Sequence, residues 1–121
     1  MANFSEEIIQ KVWEKGQIVE NFDSSKYRKD CCDAWMQRDK YGTEELYGWE
    51  IDHVYPVSKG GTDDLINLRP MQWENNRSKA DDYPSYKAVK TSNDNKNIDK
   101  EENKTVNDSL KNELKAKFNI K

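Results

Sequence analysis

The sequence is poor in histidine and in the residues that link small proteins covalently or through metals. Its 121 residues include one histidine, two cysteines, three prolines and five glycines. Because Cys31 and Cys32 are adjacent, no Cys-x-x-Cys pair exists to hold zinc, and a bridge between neighbouring cysteines is strained. We therefore expect two free thiols in a reducing compartment and no structural zinc. A metal site built from several imidazoles is also excluded.

Long apolar segments and a basic tail are missing as well. No apolar run approaches the roughly 20 residues that span a bilayer, and the first residues lack the basic and apolar regions of a signal peptide. The net charge is −3, from 20 basic and 23 acidic residues. We expect a cytoplasmic protein with no membrane partner, and not one held on DNA mainly by its net charge. A DNA enzyme is still allowed, because salt screens distant carboxylates beyond about 8 Å.

The large apolar side chains lie in the first two thirds of the chain. All four tryptophans precede residue 81, and each large aromatic ring buries much surface, so a single small core is expected there. The stretch FSEEIIQKVWEKG predicts an N-terminal helix that begins after Ser5 and ends near Gly16. We assign residues 1–90 to one domain.

The remaining residues have a different composition. Residues 91–104 are rich in Asn, Lys and Asp, which predicts a flexible linker, although weak alternation also allows an extra β-hairpin around residues 93–95. Val106, Leu110, Leu114 and Phe118 recur every four residues. This spacing predicts an amphipathic C-terminal helix over 105–121, which we interpret as a docking or self-association helix.

Residues 49–82 predict two strands followed by a helix, and hence an α+β fold. WEIDHVYP alternates and ends at Pro56, LINLRPM forms a second short strand, and WENNRSKADD contains no helix breaker. This order puts His53 at the end of the first strand, Asn67 in the second and Asn76 in the helix. Asp52 directly precedes His53. A turn after the strand allows both side chains to reach one cleft.

This stretch resembles the HNH nuclease family. The resemblance is carried by Asp52-His53, the Gly60-Gly61 pair, Asn67-Leu68 and the NNRSK run at 75–79. Asparagine at the third signature position is similar to the HNN variant, in small stand-alone bacterial and phage proteins. The resemblance implies a ββα-metal unit over 49–82. Many members hold zinc with cysteines where this chain has Gln72 and Asn75.

The chemistry of these residues matches phosphodiester hydrolysis. A neutral imidazole can take a proton from water, so His53 is the predicted general base. Asp52 and Asn76 offer hard oxygen ligands that suit Mg²⁺, with Mn²⁺ as a substitute. The resemblance gives Asn67 the task of holding the loop that aims His53. Glu50 is a weaker candidate for a supporting group. Phosphate contacts are predicted for nearby cations, namely Lys59, Arg69, Arg77 and Lys79.

These residues together predict a metal-dependent endonuclease that acts on DNA, most simply duplex DNA. One ββα unit carries one active site, so one strand is cut per encounter. Two alternatives remain open. One is a catalytically inactive nucleic-acid-binding module that keeps the fold, and the other is a protein-interaction module that binds through the C-terminal helix.

Overall fold

A computed structural model describes residues 3–120 of the chain. Its helices and strands are α1 (Glu6–Trp13), β1 (Tyr27–Lys29), β2 (Trp35–Gln37), β3 (Trp49–His53), β4 (Leu68–Gln72), α2 (Trp73–Lys79), β5 (Ser85–Asn93), β6 (Lys96–Thr105) and α3 (Asp108–Phe118). The strands pair as three antiparallel two-stranded sheets, β1–β2, β3–β4 and β5–β6. The predicted α+β class is confirmed. Within residues 3–120, no helix has both the length and the apolar character needed to cross a bilayer.

The N-terminal helix forms where the sequence predicts it. The Ser5 side chain accepts a hydrogen bond from the Ile8 backbone N–H, which satisfies one of the free donors at the helix start. Ile9, Val12 and Trp13 are buried on one face. These apolar side chains fix α1 against the core.

The predicted strand–strand–helix order over 49–82 is present as β3, β4 and α2. Asp52 pairs in register with Arg69, and His53 pairs with Leu68. The Gln72 side chain then accepts hydrogen bonds from the backbone N–H groups of Glu74 and Asn75, which starts α2 directly after β4. His53 is therefore held at the last position of a paired strand, where the chain turns into a loop.

Two apolar clusters contact the β3–β4 hairpin. The first joins α1 and β2 to the hairpin through side chains that are all buried, namely Ile9, Val12, Trp13, Met36, Trp49, Ile51 and Leu68. The second joins the hairpin to the C-terminal third, through Cys32, Val54, Met71, Tyr86, Ala88, Val106 and Leu114. The hairpin that carries His53 is thus supported from both ends of the chain.

The segment predicted as a linker, 91–104, instead belongs to the long β5–β6 hairpin. Ser85 pairs with Thr105 and Asn93 with Lys96, and Asp94 has a φ of 55° at the tip. The inner face buries Ala88 and Asn97. The polar composition was misleading, because one face of a two-stranded hairpin remains in water while its strands still pair through their backbones.

The predicted C-terminal helix is present as α3, but its apolar stripe faces this chain's own core. Val106 and Leu114 are buried, and Leu110 and Phe118 pack against the same cluster. The Phe118 ring stacks on Tyr55 with centroids 5.6 Å apart. This stripe is therefore occupied, and the prediction that a partner or second copy docks on it is not supported. Residues 1, 2 and 121 of the predicted domain limits lie outside the described residues.

Candidate active site

His53 opens into a cleft of about 760 Å³ between β3, α2 and the loop that precedes β3, called here the His53 cleft. It brings together three of the predicted site residues, His53, Asn76 and Arg77, and adds the carboxylate of Glu50. The full lining is Asn3, Phe4, Tyr41, Gly42, Glu44, Glu50, Ile51, His53, Asn76 and Arg77. Asp52 is not part of this lining.

The imidazole of His53 is oriented by a carboxylate. Its Nε2 lies 2.6 Å from Asp63 Oδ1. When the carboxylate accepts this hydrogen bond, Nε2 is the donor, and in the neutral ring Nδ1 is then the nitrogen with a lone pair. Asp63 lies in the 54–67 loop, and nothing in the local sequence distinguishes it from its neighbour Asp64. It is the residue of the site that the sequence does not reveal.

Asn67 closes the loop that carries Asp63. Its side chain is fully buried. Its Oδ1 accepts from Tyr55 N at 2.8 Å, and its Nδ2 donates to Tyr55 O and Thr62 O, each at 3.0 Å. Gly61 allows this closure, since a Cβ there would lie 1.8 Å from Tyr55 O. Asn67 therefore acts on the site through the loop and does not line the cleft.

Two contacts join α2 to one face of β3. Asn76 Nδ2 donates to Glu50 Oε1 at 3.0 Å. One turn later in α2, Lys79 Nζ lies 3.2 Å from Asp52 Oδ1. Residues two apart in a strand share a face, and so do residues three apart in a helix. The two carboxylates of β3 and the Asn76 amide are thus arranged along a single seam.

Asp52 is the buried member of this seam and is paired with two cations. It is 3% exposed, and its Oδ2 accepts from Arg69 Nε at 2.9 Å while Lys79 holds Oδ1. Lys79 is itself fully buried and also donates to His53 O at 3.2 Å. Burial lowers the pKa of Lys79, and Asp52 opposes that shift. These ion pairs stabilise the buried charges of all three side chains.

The predicted phosphate contacts separate into two groups. Lys79 is fully buried and Arg69 is mostly buried, and both are bound to Asp52. Arg69 lines a different cleft, and neither side chain lines the His53 cleft. Arg77 lies at the rim of the His53 cleft, paired with Glu44 and Glu50 and stacked over Trp73 at 4.9 Å. Lys59 is exposed, but it lines a different cleft.

The cleft fits a hard divalent cation. Within residues 3–120 no group of three or more His, Cys, Asp or Glu side chains is placed to hold a metal. The seam instead offers the Glu50 carboxylate and the amide oxygen of Asn76. No described residue donates a hydrogen bond to that amide oxygen. Ionised Asp52 has more acceptor sites than its two cation partners use. Oxygen ligands of this kind suit Mg²⁺, which retains several waters.

A network of hydrogen bonds around Asp30 joins Gln72 and Asn75, the two positions at which the sequence predicts no zinc ligand. Asp30 accepts from Cys32 N, Ala34 N, Gln72 N and Asn75 Nδ2 at 2.8–3.1 Å. Burial raises the pKa of Asp30, and these four donors oppose the shift. Gln72 and Asn75 are fully buried, and their amides also bond to backbone groups of α2 and β5. This network fixes α2, and hence Asn76, to the rest of the fold.

Comparison with known families supports the resemblance inferred from the sequence motifs. Residues 38–85 match a family model described as HNH endonuclease. Searches of curated proteins and of solved structures gave no significant match. The matched segment contains His53, Asp63, Asn67 and Asn76, and it covers less than half of the chain. Such a match indicates nuclease activity on nucleic acid, in a family that generally uses divalent metal ions. The resemblance to the HNH endonuclease family is thereby confirmed over residues 38–85.

Proposed function

We propose that this protein is a metal-dependent endonuclease that hydrolyses phosphodiester bonds in DNA, one strand per active site. The observation that carries the proposal is the His53 cleft. Its lining includes both the imidazole of His53 and the hydrogen-bonded Glu50–Asn76 pair. A base and a set of hard oxygen ligands that face one space are what phosphodiester hydrolysis requires.

In this proposal His53 is the general base. Its Nδ1 takes the proton of an attacking water, and Asp63 holds the ring and offsets the positive charge that develops on it. Asn67 keeps the loop closed so that Asp63 remains in place. Arg77 is half exposed at the rim and is paired with Glu44. When substrate binds, its guanidinium leaves Glu44 and donates hydrogen bonds to a phosphate oxygen.

Glu50, Asp52 and Asn76 are the residues that would hold the metal. Asp52 and Asn76 are the ligands predicted from the sequence, and we propose Glu50 as a third because its carboxylate lines the cleft. When bound, Mg²⁺ or Mn²⁺ offsets negative charge on the phosphate and the leaving oxygen. Lys79 and Arg69 contact the two oxygens of Asp52 and hold its carboxylate in a fixed orientation.

The second candidate function is binding of nucleic acid without cleavage. The observation that favours it is the pairing of Asp52 with both Arg69 and Lys79, which already offsets the charge of a predicted metal ligand. This candidate and the nuclease proposal differ in one outcome, namely metal-dependent cleavage.

A plasmid assay tests the proposal. Supercoiled plasmid is incubated with the wild-type chain in Mg²⁺ or Mn²⁺, with a chelator, and with His53→Ala. We expect nicking that requires the metal and falls by about 10²-fold or more in His53→Ala, since a general base contributes roughly 10²–10⁴. Lys96→Gln, an exposed change far along the chain from the cleft, should nick like the wild type. Equal nicking by His53→Ala, or nicking that survives the chelator, would falsify the assignment.

A further inference from the structure

A second cleft is lined in part by Tyr55, two residues after His53, and has the opposite charge character. It has a volume of about 480 Å³, and its lining includes Lys59, Lys111 and Lys115 but no aspartate or glutamate. The His53 cleft, by contrast, is lined by Glu44 and Glu50 with Arg77 as the only lysine or arginine. In a chain of net charge −3, a concave surface with three lysines and no carboxylate is a local excess of positive charge. We call it the lysine cleft.

The lysines come from two elements that only the tertiary structure joins. Lys59 is in the loop after β3, and Lys111 and Lys115 lie one turn apart on α3. The stacking of Tyr55 on Phe118 fixes this helix against the loop. Among residues 3–120, Lys59 and Lys115 have no carboxylate within ion-pair distance, while Lys111 contacts Asp108 at 3.3 Å. Two of the three ammonium groups are therefore available to a ligand at no cost in internal ion pairs.

The position of the cleft indicates what it binds. Its wall includes Tyr55, which is two residues beyond His53, and two residues of extended chain span at most about 7 Å. In B-DNA, successive nucleotides of one strand rise by about 3.4 Å. A strand whose phosphate lies at His53 thus brings its neighbouring phosphates near this wall within about two nucleotides. The rings of Tyr55 and Tyr83 add apolar surface for sugars or bases.

We propose that the lysine cleft binds the phosphate backbone of the DNA substrate next to the scissile bond, so that α3 is part of the nucleic-acid interface. This inference rests on the proposed nuclease function for its substrate, and it replaces a partner-docking role for α3. An acidic protein has the same charge, but proximity to His53 favours nucleic acid. The lysine cleft provides binding affinity and aligns the DNA strand with the active site, while the more acidic His53 cleft holds the metal.

Binding is measured first, in the full chain carrying His53→Ala so that no cleavage occurs. The probe is a short fluorescent DNA duplex, titrated between about 50 and 200 mM salt. The test variant adds Lys59→Gln, Lys111→Gln and Lys115→Gln. The matched control adds Lys26→Gln, Lys96→Gln and Lys100→Gln, which change the net charge equally at exposed sites outside both clefts. Each lost phosphate contact should reduce the slope of log affinity against log salt by about 0.9.

We expect the test variant to lose about 2.7 from that slope and at least tenfold in affinity at low salt, with less than a twofold loss in the control. Equal losses in both variants would overturn the inference. No loss in either variant would also overturn it, and would leave an acidic protein as the remaining candidate ligand of the lysine cleft. If the triple variant unfolds on a thermal melt, Lys115→Gln against Lys96→Gln gives the same comparison with one contact. Nicking by the wild type is scored separately, so lysine-dependent binding without nicking refutes only the nuclease proposal, and nicking without lysine-dependent binding refutes only this inference.

Discussion

At the scale of single residues, the proposed catalysis depends on the contact between His53 and Asp63. The two atoms are 2.6 Å apart, and with Nε2 as the donor, Nδ1 of the neutral ring is the nitrogen that can act as a base. Asp63 is largely exposed, with 63% of its side chain accessible, so the contact has little value for stability. Its effect is on orientation and tautomer, and a change at Asp63 should therefore appear in the rate of catalysis and not in folding.

Asp63→Asn is expected to lower kcat for nicking by roughly tenfold or more, because an amide can donate as well as accept and no longer fixes the tautomer. DNA affinity and melting temperature should stay the same. Asp64→Asn is the matched control, since Asp64 is adjacent but contacts Thr62 and Lys117 instead of His53. A steady-state comparison of kcat and KM checks this, and equal kcat in both variants would remove Asp63 from the site.

At the scale of elements, α3 and the β5–β6 hairpin are integral parts of the fold. Leu114 is fully buried beside Val54 and Met71, which belong to the segment that carries His53. Asn75 of α2 accepts hydrogen bonds from Val89 N and Lys90 N of β5. The C-terminal third therefore supports the active-site hairpin and helix directly, and the stability of one part should depend on the other.

Leu114→Ala is expected to reduce the free energy of unfolding of the whole protein by about 2–5 kcal/mol, because it leaves a cavity in the shared core. Asn112→Ala, exposed on the same helix, should change it by less than about 0.5 kcal/mol. Denaturant unfolding followed by tryptophan fluorescence measures this. All four tryptophans lie outside α3, so an unchanged transition in Leu114→Ala would mean that α3 is a separate tail.

At the scale of the whole molecule, one His53 cleft and one lysine cleft are found within residues 3–120 of each chain. A single catalytic cleft can act on only one phosphodiester bond at a time. The charges are also divided by location, with carboxylates in the cleft proposed to hold a cation and lysines in the cleft proposed to bind the phosphate backbone. Net charge is therefore a poor guide to the substrate, because local fields act within about a Debye length.

On supercoiled plasmid, open circles should accumulate before any linear form appears, because a second, independent nick is needed for a double-strand break. The rate of nicking should rise in direct proportion to protein concentration. Gel analysis of the time course over a range of concentrations checks both points. Linear product from the first time points, with a rate that rises as the square of concentration, would instead indicate a cutting dimer.

The sequence by itself determined the local elements and the spacing of His53, Asn67 and Asn76. These follow from short-range rules, since alternation and helical periodicity depend on neighbours in the chain. The Ser5-capped helix and the apolar stripe of α3 were predictable for the same reason. The β5–β6 hairpin was only weakly indicated, because its pairing joins strands whose outer face is as polar as a linker.

Tertiary structure alone decided which side chains meet. Lys79 lies beside Arg77 in a polar helix and has the sequence context of a surface lysine, yet it is buried because α2 packs its face onto Asp52. Asp63 is one of two adjacent aspartates, and only the loop closed by Asn67 brings it to His53. The lysine cleft likewise exists only because α3 packs beside the loop after β3. Contacts between distant segments depend on how apolar faces pack in three dimensions, and no local pattern encodes that.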